Sequence, residues 1–355
     1  MGHKKTILIS PLDWGLGHAT RIVPIINFLI DNQYKVIIAG SGNSFEYLKN
    51  EFPMLQSLTL PGINIRYSKK KSQILSLLVQ LPKFLFNILA EHKSLTRLTK
   101  NHSVDIIISD NRYGMWNKKL YNIFITHQLN IKLPKSIRFL EGIIHKLNYS
   151  LIRRFDICLI PDFQDKLNLS GELSHPVPKK INALYIGPVS RFLNMPAKKQ
   201  KEHDIDFLGI ISGPEKQKSI FRSKMEGFFS AANKNTMLIP NDTSQIAGSD
   251  ELSELIFKSK IIISRAGFTS VMDYIALNKD AILVPTPGQT EQIYLAKYLS
   301  DIKLFKRMNQ DEIDSITVNK IKINTDKTVR LKLQDEMKKE NYKRILLNVL
   351  NTLET

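Results

Sequence analysis

Three short stretches of the chain put side chains able to do acid–base or anion chemistry beside glycines. The first is Gly15-Leu16-Gly17-His18-Ala19-Thr20. Its glycines let backbone approach a ligand closely, and a helix starting there offers free N–H groups to an anion or polar group. His18 is the side chain in this stretch that titrates near neutrality, so it can take a proton from a hydroxyl. Asp13, just before the loop, is the reserve base. A plainer reading makes His18 part of a helix cap. A dinucleotide site is disfavoured, because the third glycine is Thr20 and the strand ending Ala39-Gly40-Ser41-Gly42 lacks the acid that would bind a ribose.

The second stretch is Ser264-Arg265-Ala266-Gly267-Phe268-Thr269-Ser270, with Asp273 one turn further on. A turn at Gly267 into a helix beginning at Thr269 or Ser270 presents amides, with Arg265 nearby, to a diphosphate. Asp273 shares the helix face of Thr269, where a carboxylate can accept two hydrogen bonds from vicinal ribose hydroxyls. Ordinary capping competes with this reading. The third stretch, Pro287-Gly288-Gln289-Thr290-Glu291-Gln292, crowds amide and acid side chains at a helix start. Thr290 alone would serve as a cap, and the others suit the directional hydrogen bonds of a sugar. Asp110-Asn111-Arg112 and His127-Gln128-Leu129-Asn130 are polar clusters at strand ends. Asp204-Ile205-Asp206 reads mainly as a charged strand edge, and no His/Cys spacing fits a metal.

Short β-rich runs must place these residues. Thr6–Ser10, Lys35–Gly40, Leu55–Leu60, Val104–Ser109, Ile123–Thr126 and Ile157–Ile160 alternate with helical stretches, among them 20–32, 44–50 and 74–99. After Leu184–Pro188 comes a polar, basic linker around Pro196. The pattern then restarts with Asp206–Ile211, the loop Ser212-Gly213-Pro214, and strands at Met237–Ile239, Ile261–Ser264 and Ala281–Val284. Val329–Leu353 reads as one long charged helix. Alternation of this kind predicts an α/β fold with parallel sheets. The expected organisation is two Rossmann-like domains facing across a cleft, 1–190 and 191–330, followed by a C-terminal helix, 331–355. Ligands in such sheets bind beyond the carboxyl ends of the strands, where most of the singled-out residues fall.

Composition narrows the field. The chain has 355 residues, 43% of them hydrophobic and 24% charged, which excludes disorder. One cysteine excludes an internal disulfide and fits a reduced compartment. Ile7-Leu8-Ile9 is too short for a signal-peptide core, and no stretch is long enough to span a bilayer. The expected location is therefore cytoplasmic. The net charge is +18. Aromatics are few and no nucleic-acid motif is present, so no nucleic-acid partner is expected. Two stretches, Lys69–Arg97 and Ile137–Arg154, combine Leu, Ile and Phe with bordering cations. They fit either core helices or helices lying on an anionic membrane surface, which would place the protein peripherally on the inner face of the cell membrane.

The motifs Gly15–Arg21, Ser264–Thr269 and Pro287–Gln292 together resemble family-28 glycosyltransferases of the GT-B fold, and the likeness runs in order along nearly the whole chain. That family includes the peptidoglycan N-acetylglucosaminyltransferases that act on a lipid intermediate. The resemblance implies a nucleotide sugar, a UDP-sugar foremost, held by the C-terminal domain through Ser212, Gly213, Arg265, Gly267, Thr269, Asp273, Gln289, Glu291 and Gln292. It implies an acceptor, for which a lipid-linked molecule is a candidate, on the N-terminal domain near Gly15, Gly17, Asp110, His127 and Asn130. Catalysis would be inverting, with His18 or Asp13 as base and with neither metal nor cofactor. The chain departs from the family in having Leu16 before Gly17 and Asp273 where the family has Glu. A nucleotide-sugar epimerase of the same fold and a non-catalytic basic binding protein are the alternatives.

Overall fold

The structure, a computed structural model, describes residues 4–60, 81–193, 204–240, 248–315, 321, 323–339 and 342–353. The expected linker around Pro196 and the Lys69–Gln80 part of the first basic apolar stretch lie outside the described residues. The chain divides into two compact units, Met1–Val189 with Glu340–Thr355, and Ser190–Lys339.

The first unit opens with β1 (Thr6–Pro11), α1 (Gly17–Asp31), β2 (Lys35–Gly40), α2 (Gly42–Glu51) and β3 (Gln56–Thr59). It continues through α3 (Leu81–Asn101), β4 (Ile106–Asp110), β5 (Tyr121–Ile125), a 3-10 turn (Lys135–Leu140), α4 (Glu141–Ile152), β6 (Ile157–Ile160) and β7 (Ala183–Tyr185). The strands form one sheet of order β3-β2-β1-β4-β5-β6-β7, with every pairing parallel. Parallel strands are covered on both faces, which is why β1 and β4 read as unbroken apolar runs and are buried throughout. Leu8, Ile37, Leu95, Ile107 and Met115 pack one cluster; Phe124, Ile152, Phe155, Cys158 and Ile160 pack another.

A buried ion pair ties α3 to the sheet. Arg112 Nε donates to Glu91 Oε1 at 2.9 Å and its NH1 to Ser10 Oγ at 2.8 Å. Burial raises the Glu91 pKa against the pull of Arg112. Gly114 permits this approach, since a Cβ there would lie 2.5 Å from the Ile88 carbonyl oxygen.

The second unit runs β8 (Ile205–Ile211), α5 (Glu215–Ser230), β9 (Thr236–Pro240), α6 (Gly248–Lys258), β10 (Ser259–Ser264), α7 (Phe268–Ala276), β11 (Asp280–Leu283), α8 (Thr290–Asp301), β12 (Lys306–Arg307) and α9 (Lys327–Lys339). Its sheet has the order β12-β11-β10-β8-β9, again parallel throughout. Phe207, Phe221, Met225, Ile263, Ile282 and Met308 are part of its core.

The single C-terminal helix expected from the sequence is two helices. In α9, Arg330 donates to Asp280 and Asn278 at 2.7 and 3.0 Å. The next helix, α10 (Tyr342–Asn351), packs in the first unit. There the Tyr342 hydroxyl donates to the Pro24 carbonyl at 3.1 Å, and its ring meets Phe28 edge-on. The second basic apolar stretch runs through the 3-10 turn after Pro134, in which Ile137 takes a non-helical conformation, into α4.

Each sheet reverses its winding once. In the first the reversal falls between β1 and β4, in the second between β8 and β10. These are the points at which doubly wound sheets leave a crevice at their strand ends.

Candidate functional site

The β1–α1 loop and the end of β4 meet at the first reversal point. Pro11 is registered against Asp110, and Leu12 N–H donates to the Asp110 carbonyl at 2.9 Å. The chain then turns through Gly15 at φ +104°, and α1 begins at Gly17. That places His18 in the first helical turn, with its Nδ1 2.9 Å from Asp110 Oδ1. Residues 92 positions apart thus form a pair, with Asp110 fully buried and His18 partly exposed at 17%.

Arg21, one turn along α1, is 1% exposed. Its Nε donates to Asp110 Oδ2 at 2.9 Å, its NH2 lies 2.5 Å from Asp110 Oδ1 and 2.9 Å from His18 Nδ1, and its NH1 lies 3.3 Å from His127 Nδ1. Burial alone would raise the Asp110 pKa, but the positive charge of Arg21, with help from His18, brings it down to about 2. Both carboxylate oxygens of Asp110 are engaged, by Arg21 and His18. Arg21 is the residue that sequence reasoning missed.

The remaining first-unit candidates are placed as follows. His127 is buried after β5 and joins the cluster through Arg21. Asn130 is engaged by the chain itself: its Nδ2 donates to the Glu172 carbonyl at 2.9 Å, and its Oδ1 accepts from the Tyr149 hydroxyl. Asp13 accepts the Ser44 N–H at 2.9 Å at the start of α2. Gly42 at φ +72° makes room for it, because a Cβ there would collide with the Asp13 carboxylate.

In the second unit the loops after β8 and β10 flank the other reversal point. Ser212 and Gly213 form the first, with Gly213 at φ +115° and open space where a Cβ would stand. Gly267 is the N-cap of α7 and supplies no side-chain cap, so the helix starts at Phe268, one residue ahead of Thr269. Arg265 is buried and lies over the Phe221 ring at 4.0 Å. Its NH2 donates to Gln310 Oε1 at 2.7 Å and to the Gln217 carbonyl at 3.0 Å, and its Nε has no partner among the described residues. Burial lowers its pKa to about 9.

Gln289 is the N-cap of α8, and Glu291 lies in its first turn. Gln292 Oε1 accepts the Thr286 N–H at 2.9 Å, bracing the loop through Gly288. The Asp204–Asp206 pair sits at the opposite, amino end of β8, where Asp206 binds Lys260 at 2.7 Å. Among the described residues no cluster of His, Cys, Asp and Glu could hold a metal ion.

Asp273 is buried in α7, with Ser190 Oγ donating to Oδ1 at 2.6 Å and Arg191 Nε 3.8 Å from Oδ2. Burial outweighs Arg191 and Ser190 and raises its pKa to about 6. A raised folded-state pKa contributes stability that is complete below the unfolded value, near 3.8, and lost as the pH rises through about 6. Asp273→Asn is therefore expected to be more stable than wild type at pH 8 by about 1–3 kcal/mol. The two should unfold together at pH 4. Parallel denaturant titrations at the two pH values check it.

Two doubly wound parallel units, each carrying its polar loops at the reversal point, form the GT-B architecture. The solved structures share that architecture over the full chain length. The glycotransferase of kitacinnamycin aligns at a TM-score of 0.64 and 12% identity, covering 99% of both chains. The spinosyn rhamnosyltransferase SpnG complexed with thymidine diphosphate aligns at 0.64 and 11%, covering 98% of this chain and 100% of that one. Acinetobacter baumannii MurG aligns at 0.55 and 12%, covering 98% and 99%. Identities this low establish the fold. Residues 194–349 match the glycosyltransferase family 28 C-terminal domain, the family that the motifs resemble. No curated protein matches significantly.

Proposed function

We propose that the chain transfers a sugar from a UDP-sugar, UDP-N-acetylglucosamine foremost, to an acceptor hydroxyl with inversion at the anomeric carbon. The observation that carries this reading is the His18–Asp110 pair at the β1/β4 reversal point. With Nδ1–H donating to Asp110, His18 keeps a lone pair on Nε2. That nitrogen takes the acceptor proton while the acceptor oxygen bonds to the anomeric carbon, which passes through an oxocarbenium-like state. The bond from that carbon to the diphosphate oxygen breaks, and its electron pair leaves with UDP.

The diphosphate would be received by the amides at the start of α7, which lack a side-chain cap, and by the loop of Ser212 and Gly213. Arg265, two residues before the Gly267 cap, adds positive charge. Asp273, on the same helix, is the ribose candidate and would exchange Ser190 for a sugar hydroxyl. Gln289, Glu291 and Gln292 would face the sugar.

For the acceptor we favour a lipid-linked molecule. Phe86 and Leu89 on α3, and Phe139 and Ile143 around α4, are exposed. Lys83, Lys93, Lys135, Arg138 and Lys146 are exposed on the same elements. Apolar side chains bordered by cations suit the surface of an anionic membrane.

The donor is tested by thermal shift with UDP-, dTDP- and GDP-sugars. A ligand at a hundredfold excess over its Kd stabilises the native state by about 2.7 kcal/mol. UDP-sugars should raise Tm most. The thymidine diphosphate held by SpnG makes dTDP the second choice. A Tm unmoved by any nucleotide sugar would overturn the donor assignment.

A further inference from the structure

We propose that Arg21 is a positioning residue that sets His18 and His127 in opposite tautomers, one as a base and the other as a hydrogen-bond donor. This rests on the reading of His18 as the base. A guanidinium donates and never accepts. The approach of Arg21 NH1 to His127 Nδ1 at 3.3 Å therefore requires a lone pair on that nitrogen. The proton of neutral His127 then lies on Nε2, so His127 can give a hydrogen bond but cannot take a proton through that atom.

The opposite holds at His18. Its Nδ1, Arg21 NH2 and Asp110 Oδ1 form a near-equilateral triangle with sides of 2.9, 2.9 and 2.5 Å. The two hydrogens on a guanidinium nitrogen diverge by roughly 120°, so NH2 cannot point straight at both Oδ1 and Nδ1, and a lone pair on Nδ1 would face the ionised Oδ1 at 2.9 Å, acceptor against acceptor. The shorter contact takes the hydrogen to the carboxylate, with which Nε of the same guanidinium also pairs. Asp110 is ionised and accepts only. The remaining consistent assignment has His18 Nδ1–H donating to Oδ1, which leaves the Nε2 lone pair free.

One buried arginine thus serves two purposes. It compensates the charge of Asp110, and it gives the two imidazoles different work. A lysine could supply the charge but not the planar fork that reaches carboxylate and imidazole together.

The test is NMR of the full chain labelled with 15N-histidine at pH 8.5, where an unperturbed imidazole is neutral. His18→Gln and His127→Gln variants assign the signals. Wild type should show His18 protonated on Nδ1 and His127 protonated on Nε2. In Arg21→Lys, His127 should become a mixture of tautomers, and kcat should fall by about 10- to 100-fold with the donor KM unchanged. A wild-type His127 protonated on Nδ1, or a His127 signal unaltered in a folded Arg21→Lys, would overturn the proposal. If Arg21→Lys does not fold, the wild-type spectrum decides alone. Should the tautomers be as stated while His18→Gln keeps full turnover, the base assignment falls and the positioning by Arg21 stands.

Discussion

Replacing His18 by Gln is expected to lower kcat by about 10²- to 10⁴-fold and to leave the Kd for UDP unchanged. Glutamine keeps a donor for Asp110 but has no nitrogen that can take a proton near neutrality. The acceptor hydroxyl must then lose its proton to water as it attacks. His18 lies in the first unit and the proposed nucleotide contacts in the second, so binding and turnover should separate. Steady-state rates with calorimetric UDP titration measure both. Equal turnover in the variant would reject His18 as the base. A weakened UDP affinity with kcat preserved would assign it to binding instead.

Asp110→Ala should have the largest effect on stability, about 3–5 kcal/mol. The substitution leaves Arg21 buried without its carboxylate, and uncompensated buried charge is the costly half of a broken ion pair. Turnover should fall with it, since His18 loses the acceptor that orients Nδ1–H. The same pair sets an acid limit in wild type. A folded pKa of about 2 against an unfolded value near 3.8 gives stability that is present above about 4 and lost as the pH falls through 2. Urea titrations of wild type at pH 7 and pH 3, with Asp110→Ala at pH 7, measure both effects. A variant within 1 kcal/mol of wild type would show that the Arg21 charge is compensated elsewhere.

Much of this architecture could be read along the chain because parallel strands bury both faces and leave continuous apolar runs. Ile7-Leu8-Ile9 and Ile106-Ile107-Ile108 are fully buried neighbours, and the polar residues that follow such runs fall where doubly wound sheets bind ligands. Pairings that depend on the third dimension were not legible. The spacing of Arg21 from His18 puts the two on one helix face, but nothing local shows that this face meets Asp110. A signal was present: Arg21 stands inside the buried run Ala19–Ile26, where a lone charge needs a partner. Glu91, between the buried Ile88 and Leu95 on α3, carried the same signal, and its partner Arg112 follows the next strand. Ser190 and Arg191, which hold Asp273, precede it by more than eighty residues. The two-residue β12 has too little pattern to be seen, and a charged helical tail conceals the break between α9 and α10.

Inverting transfer from a UDP-sugar is decided by which anomer is released first. Proton NMR of the full chain with UDP-N-acetylglucosamine, water serving as a slow acceptor, follows the reaction before the free sugar equilibrates. UDP should appear together with the β-anomer, and both should be lost in His18→Gln. Initial release of the α-anomer, an epimerised UDP-sugar, or a donor still intact after prolonged incubation with excess protein would contradict it.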